Sequence, residues 1–374
     1  MKLVNTGVVY ASGKHRGLKS CTFPSICVSP SGQWLCAFRA APSKAGLAGQ
    51  KILVTHSADE GHTWSEPTVP FHPINIGGKN GHLRFAALTA LADRTIAAVS
   101  SWVDDSDPSL PYFNPDTEGL LDTRVFLSRS TDDGATWSQP AMVDTAPFLV
   151  PTPITGPLLR LQNGDLACQF EINKPYRDPS LWRHSSVLLF SRDGGRSWPE
   201  HAIASNDPTN RIFYWDQRPA VLSDGQILDV FWTYDNQKSV YLNMHARVSS
   251  DHGRNWSDLW DTHVPGQPAP PVDLPDGRLG LVYVDRTAAP AIKMRTSKDG
   301  GRNWPESSEL ILHVAPISNQ TTDKGGMNDA WDEMSRFSLG LPATARTPDG
   351  DVLVVFYSGP GSDETSIRWV RVTA

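Results

Sequence analysis

Ser57-Ala58-Asp59-Glu60-Gly61-His62-Thr63-Trp64 is the first of five copies of one eight-residue pattern, Ser-x-Asp-x-Gly-x-x-Trp. The other copies run Ser130 to Trp137, Ser191 to Trp198, Ser249 to Trp256 and Ser297 to Trp304. Their start-to-start spacings are 73, 61, 58 and 48 residues. The octet has the chemistry of a hairpin turn. Asp accepts backbone N–H groups within the turn, and Gly supplies a positive φ. Trp then returns an aromatic anchor to the sheet, with an indole N–H that seeks an acceptor. The segments before the octets alternate as strands do, as in Arg124-Val125-Phe126-Leu127-Ser128 and Ser186-Val187-Leu188-Leu189-Phe190.

A second signal precedes each octet: an apolar run, a turn and a second apolar run. It starts with Ser25 to Phe38 and recurs around Ala92-Asp93-Arg94, Asn163-Gly164, Asp224-Gly225, Asp276-Gly277 and Asp349-Gly350. Each unit therefore reads strand, turn, strand, loop, strand, octet, strand. Four-stranded units at this period predict an all-β chain, a six-bladed β-propeller forming a single domain over residues 1–374. The sixth unit has no octet. Ile367 to Val372 would be its third strand, and Gly7 to Tyr10 would supply its fourth. The N- and C-terminal strands would thus close blade six and leave fewer open edges.

Composition narrows the function. Hydrophobic residues are 39% and charged residues 20%, enough for a sizeable core. Gly and Pro together number 59, which fits a turn-rich chain, and the 13 tryptophans exceed what the octets use. No apolar run reaches about 18 residues, so no membrane helix is expected. The net charge of −6 and the lack of a basic block exclude nucleic acid as the main partner. No apolar leader is visible at the N-terminus, so a cytoplasmic location is expected, with a processed secreted form as the alternative. Cys21, Cys27, Cys36 and Cys168 lack zinc spacing and read as buried free thiols.

If the octets share one face, the loops between second and third strands and the links between units share the other. Those segments hold the candidate site. The loops are 39–50, 102–122, 171–184, 232–239, 284–290 and 357–364, and the links include 70–84, 205–218 and 313–336. The two longest, 102–122 and 313–336, are of functional length. Substrate-binding candidates are Arg39, Arg84, Arg218, Arg286 and Arg336, whose forks suit carboxylates, and Trp215, whose face suits a sugar ring. Glu171 and Asp216 come from consecutive units and read as a carboxylate pair for glycoside hydrolysis, with Tyr214 and Asp235 as further catalytic candidates. Trp102, Trp182, Trp232 and Trp331 border the same segments. His15, His82 and His184 could serve as bases for a lyase. Asp104, Asp105 and Asp107 read as a solvated acidic loop, and no metal or cofactor is called for.

The octets resemble the Asp-boxes, or BNR repeats, of the sialidase (neuraminidase) superfamily. The resemblance implies the six-bladed fold, places the octets away from the active site, and implies a carbohydrate-active enzyme. A sialidase of this kind holds the substrate carboxylate with three arginines, uses a carboxylate-assisted Tyr as nucleophile, and carries an Asp acid/base in the first unit. This sequence departs from that pattern. Thr22-Phe23-Pro24 stands where the first arginine is expected, residues 40–51 contain no Asp or Glu, and Phe337 occupies the tyrosine place. The assisting carboxylate falls on Asp216, and Tyr214 or Tyr357 could stand in as the phenol. The expected function is therefore a glycoside hydrolase acting on a possibly acidic glycan. The alternatives are an exo-α-sialidase with rearranged catalytic residues, a uronate lyase, and a non-catalytic glycan- or protein-binding propeller. Sugar, linkage, stereochemistry and oligomeric state are not legible.

Overall fold

The structure is a computed structural model that describes all residues except 15–16, 92–93, 317–318 and 374. The second hairpin turn, at Ala92-Asp93, and the candidate base His15 therefore lie outside the described residues.

The chain is all-β apart from a single-turn 3-10 segment and one α-helix among the described residues. The described strands fall into antiparallel groups in chain order, of which the first and the last run on into one seven-stranded sheet through the parallel pair Ser20 with Thr365. The first is Ser20–Val28, Trp34–Ala41 and Lys51–Ser57. The second centres on Lys79–Ala90, Ile96–Asp104 and Thr123–Ser130. The third contains Leu166–Ile172, Ser185–Ser191 and Glu200–Asn206. The fourth contains Ile212–Val221, Ile227–Asp235 and His245–Ser249. The fifth contains Leu279–Asp285, Ala291–Ser297 and Leu310–Val314. In the sixth, Leu339–Arg346, Val352–Gly361 and Glu364–Thr373 follow one another, and the N-terminal strand Lys2–Tyr10 pairs with the last of them. The described turns carry positive-φ glycines, Gly32, Gly164, Gly225, Gly277 and Gly350, as Gly-containing hairpin turns require.

The octets form one hydrogen-bonded device five times over. In the third, the Ser191 hydroxyl donates to Asp193 Oδ1 (2.8 Å) and accepts from the Gly195 N–H (2.6 Å). Asp193 Oδ1 also accepts the Ser197 N–H (2.9 Å), and its Oδ2 accepts the Ser197 hydroxyl (2.6 Å). The tryptophans only partly meet the expectation of an indole acceptor. Trp137 and Trp304 donate to the carbonyls of their own glycines, Gly134 and Gly301, whereas Trp64 and Trp256 leave a buried N–H unpaired.

Each octet glycine packs on the preceding unit. A Cβ on Gly134 would meet Leu35, on Gly195 Leu127, on Gly253 Leu188 and on Gly301 Leu228. On Gly61, in the first unit, it would meet Trp369 of the sixth. The core follows the same order. Apolar clusters join units one and two (Leu35, Val54, Leu88, Ala98), two and three (Leu127, Phe170, Val187), and three and four (Leu188, Phe190, Ile227). Further clusters join four and five (Val230, Leu281), five and six (Val282, Val354, Phe356), and six and one (Trp369, Cys36, Phe38). Each Val, Leu, Ile or Phe among them contributes about 1.5–3 kcal/mol when fully buried. The four cysteines are free and buried, and burial pushes the thiols of Cys21, Cys27 and Cys168 up to about 12.

Candidate active site

Strand register separates the octets from the site. In the third unit Leu166 pairs with Ser191, which opens the octet, while Glu171 pairs with Ser186 at the other end of the sheet. At that other end lies a cavity of about 520 Å³. Arg84, Arg218 and Arg286 line it, with Glu171, Asp216, Trp182, Trp215, Trp232, Trp331 and Tyr357.

Asp216 sits within a strand rather than in a link. The strand Ile212–Val221 has a register break between Trp215 and Arg218, and Asp216 takes a left-handed φ of +47° there. Such a bulge re-aims a side chain, and a non-glycine residue in this region is strained. The bulge is held from the neighbouring unit, because Glu171 Oε1 accepts the Asp216 N–H. Glu171 Oε2 lies 3.5 Å from Nε2 of the buried His184. The Asp216 carboxylate accepts from Gln267 Nε2 at Oδ2, while Oδ1 is 3.5 Å from Arg218 Nη2.

The cavity wall is strongly cationic. Arg286 donates to Gln267 Oε1 (3.0 Å) and to the Leu339 carbonyl (2.7 Å), and its guanidinium lies 4.0 Å from the centre of the Phe337 ring. Arg84 lies 4.6 Å over the Tyr112 ring, and its buried Nη1 has no hydrogen-bond partner. Lys44 joins them. Its Nζ donates to the carbonyls of Met334 (2.5 Å) and Phe337 (2.7 Å) and lies 5.2 Å over the Tyr357 ring. Burial, with repulsion from Arg286, Arg84 and Arg39, holds this amine well below its usual range. Burial also pushes the Tyr357 phenol up to about 12, against the opposing pull of Arg286. Unpaired buried cations of this kind favour an anionic ligand.

Aromatic residues build the rest. Trp215 stacks on Tyr234 (4.7 Å, 12°), and Trp182 lies alongside it (6.3 Å, 22°). The two long segments meet over the cavity. Segment 313–336 contains the helix α1, Met327–Arg336, where the sequence suggested only loop. Met327, Ala330 and Glu333 are its buried residues, and Glu333 pairs with Lys324 (3.1 Å). Trp331 of α1 stacks on Phe113 of the 102–122 loop (4.6 Å, 9°), and Asn328 donates to the Pro115 carbonyl (3.0 Å).

Several sequence candidates lie elsewhere. Tyr214 points away, as alternation along a strand requires when Trp215 faces the cavity, and it packs on Phe231 and His245. Asp235 is taken up by Arg211 (2.7 Å) and by the N–H groups of Gln237 and Lys238. Arg39 is wholly buried and braces the first loop, donating to Gln50 Oε1 (2.6 Å) and the Lys44 carbonyl (3.1 Å). Arg336 ends α1 rather than opening a strand, and it pairs with Asp332 on the exposed side of the helix. Trp102 is a core residue that donates to the Ile74 carbonyl (2.9 Å). His82 pairs with Asp105, and no histidine lines the cavity among the described residues. Asp104 pairs with Lys79, and Asp107 accepts from Ser109 (2.6 Å). No cluster able to hold a metal ion appears among the described residues. Lys44 and Gln267 were missed, since neither type signals chemistry from sequence alone. The available hint for Lys44 was a cation in the loop where the resemblance implied an acid.

The fold is that of a sialidase-like protein. The BNR repeat-like domain matches over residues 109–354, and the chain belongs to that family, within the sialidase-like superfamily. A sialidase of Bacteroides fragilis is 22% identical over 289 residues, covering 70% of this chain and 49% of its own length. The chain thus spans about half the length of that relative. Among solved structures, a Dyadobacter fermentans protein of unknown function superposes with a TM-score of 0.75 at 20% identity, over 100% of this chain and 98% of its own. A Hadza microbial sialidase superposes with a TM-score of 0.70 at 18% identity, over 98% and 68%.

Proposed function

We propose that the chain is one closed six-bladed β-propeller and a glycoside hydrolase that removes a carboxylated sugar, of the sialic acid kind, from a glycan. Closure is supported by the cluster shared between the sixth and first units, by Gly61 packing on Trp369, and by the pairing of Lys2–Tyr10 with Glu364–Thr373. The observation that carries the activity is the meeting of Arg84, Arg218 and Arg286 with Asp216 and Tyr357 in one cavity.

The chemistry follows from the charges. Arg84, whose Nη1 is unpaired, attracts the sugar carboxylate, and Arg218 and Arg286 complete the cationic wall. Tyr357 attacks the anomeric carbon. A neutral phenol raised to about 12 needs a base, and Asp216 takes its proton. The aglycone leaves as its anion; water then attacks the tyrosyl-linked sugar and loses a proton to solvent, while Asp216 returns the phenol's proton to the departing Tyr357 oxygen, which releases the sugar with retained configuration. Trp215 and Trp331 supply apolar walls for the ring. Segment 40–51 offers no carboxylic acid to protonate the leaving group, so activated aryl glycosides should react faster than natural linkages.

The test is turnover by the purified chain of aryl and natural sialosides, aryl uronosides and neutral aryl glycosides, with product configuration followed by NMR. Release of a carboxylated sugar with retention is expected. Action confined to neutral sugars, an ultraviolet-absorbing unsaturated product, or no turnover of any of them would overturn the reading.

A further inference from the structure

One chain of hydrogen bonds crosses four consecutive units at the cavity floor. It starts at Glu171 of the third unit, which holds the Asp216 N–H of the fourth. Asp216 Oδ2 accepts from Gln267 Nε2, and Gln267 Oε1 accepts from Arg286 Nη1 (3.0 Å). Arg286 Nη2 then reaches the Leu339 carbonyl of the sixth unit (2.7 Å). Gln267 opens the short strand Gln267–Pro268 and is buried.

The two partners fix the amide orientation. A flipped amide would set N–H groups against a guanidinium and an oxygen against a carboxylate, which is repulsive on both sides. Gln267 therefore joins a cation to an anion without letting them touch. Through the amide, Asp216 is held at one oxygen only. Its Oδ1 has just the 3.5 Å approach of Arg218 Nη2 and stays available for proton exchange.

We infer that Gln267 is a positioning residue that aims Asp216 Oδ1 and Arg286 at the reacting sugar, and that Glu171 acts with it by clamping the left-handed backbone of Asp216. Glu171 is thus a brace for the catalytic carboxylate rather than half of an acid/base pair. This assignment rests on the glycosidase reading.

Q267M keeps the side-chain length and removes both hydrogen bonds, while Q267E keeps one acceptor and adds a charge. For Q267M, kcat on an aryl sialoside should fall roughly tenfold to a hundredfold with KM changed less than about threefold, as expected for misaimed groups. Q267E should move the acidic limb of the pH–rate profile upward, because a second carboxylate beside Asp216 disfavours its ionised form. A crystal structure of Q267M should show the Asp216 or Arg286 side chain displaced. If both side chains stay in place, the positioning role is refuted whether or not the wild type is active. Wild-type turnover with kcat and pH profile unchanged in both variants would refute it equally. An inactive wild type with displaced side chains would support the brace and refute the hydrolase instead.

Discussion

The two ends of the sheets follow opposite rules. At one end the same octet appears five times, with nearly the same hydrogen bonds and a positive-φ glycine at each turn. At the other end no octet-like pattern recurs: Glu171, Asp216, Gln267 with Arg286, and Tyr357 come from successive units and differ in type. Repetition serves packing, since each octet seals the seam to the unit before it. Departure from repetition suits the proposed chemistry, since the proposed ligand would not share the symmetry of the repeats. Changes at the octet end should therefore cost stability and spare turnover, and changes at the cavity end should do the reverse.

The sharpest separation is expected at the cavity. D216N and Y357F should each lower kcat by roughly a thousandfold, the scale of losing a catalytic base or nucleophile, with the thermal midpoint little changed. Equal loss of stability and activity would erase the contrast. The converse comes from Gly195, whose φ is +85° and where a Cβ would stand 2.7 Å from Arg129 Nη2 and 2.9 Å from Leu127 Cδ2. G195A should lower stability by about 2–4 kcal/mol, combining left-handed strain and overpacking. Denaturant titration measures this, and kcat of the folded fraction should be unchanged.

A smaller effect should appear in acid. Hydroxyl donors hold the octet carboxylates low: Thr63 brings Asp59 to about 2, and Thr136 and Ser197 lower Asp132 and Asp193. Folded values below the unfolded value mean stabilisation that is present above about pH 4 and lost as pH falls through the folded values. D193N should flatten the fall of the thermal midpoint between about pH 4 and pH 2. An unchanged slope would place acid lability elsewhere. The smallest effect belongs to R336A. Its partner Asp332 is an exposed neighbour at i−4, so the loss should stay within about 0.5 kcal/mol and KM should not move. A large rise in KM would return Arg336 to the binding set.

The same contrast explains what could be read early. The octets were legible because turn chemistry is local: Ser, Asp and Gly at alternate positions, as in Ser57, Asp59 and Gly61, make their own hydrogen bonds wherever they stand. The pairing of Gly7 to Tyr10 with Ile367 to Val372 was also legible, since a unit short of one strand and a strand without a unit imply each other. The gathering of Arg84, Arg218, Asp216 and Trp215 was anticipated from their place near the ends of the links, although all four lie within strands. Alternation across one residue decided Tyr214 against Trp215, and it needed the bulge at Asp216 to be known first. Arg336 and Phe337 could not be told apart without α1, whose helical turn sends the arginine to solvent and the phenyl ring to the cavity.

By itself, then, the sequence determined the repeated scaffold, because its signals act within eight residues or within one hairpin. Tertiary structure decided the site. Lys44, Gln267 and Tyr357 lie far apart in sequence, 90 residues or more between any two, and meet only in one desolvated space. There burial and neighbouring charge, rather than residue type, set what each group can do.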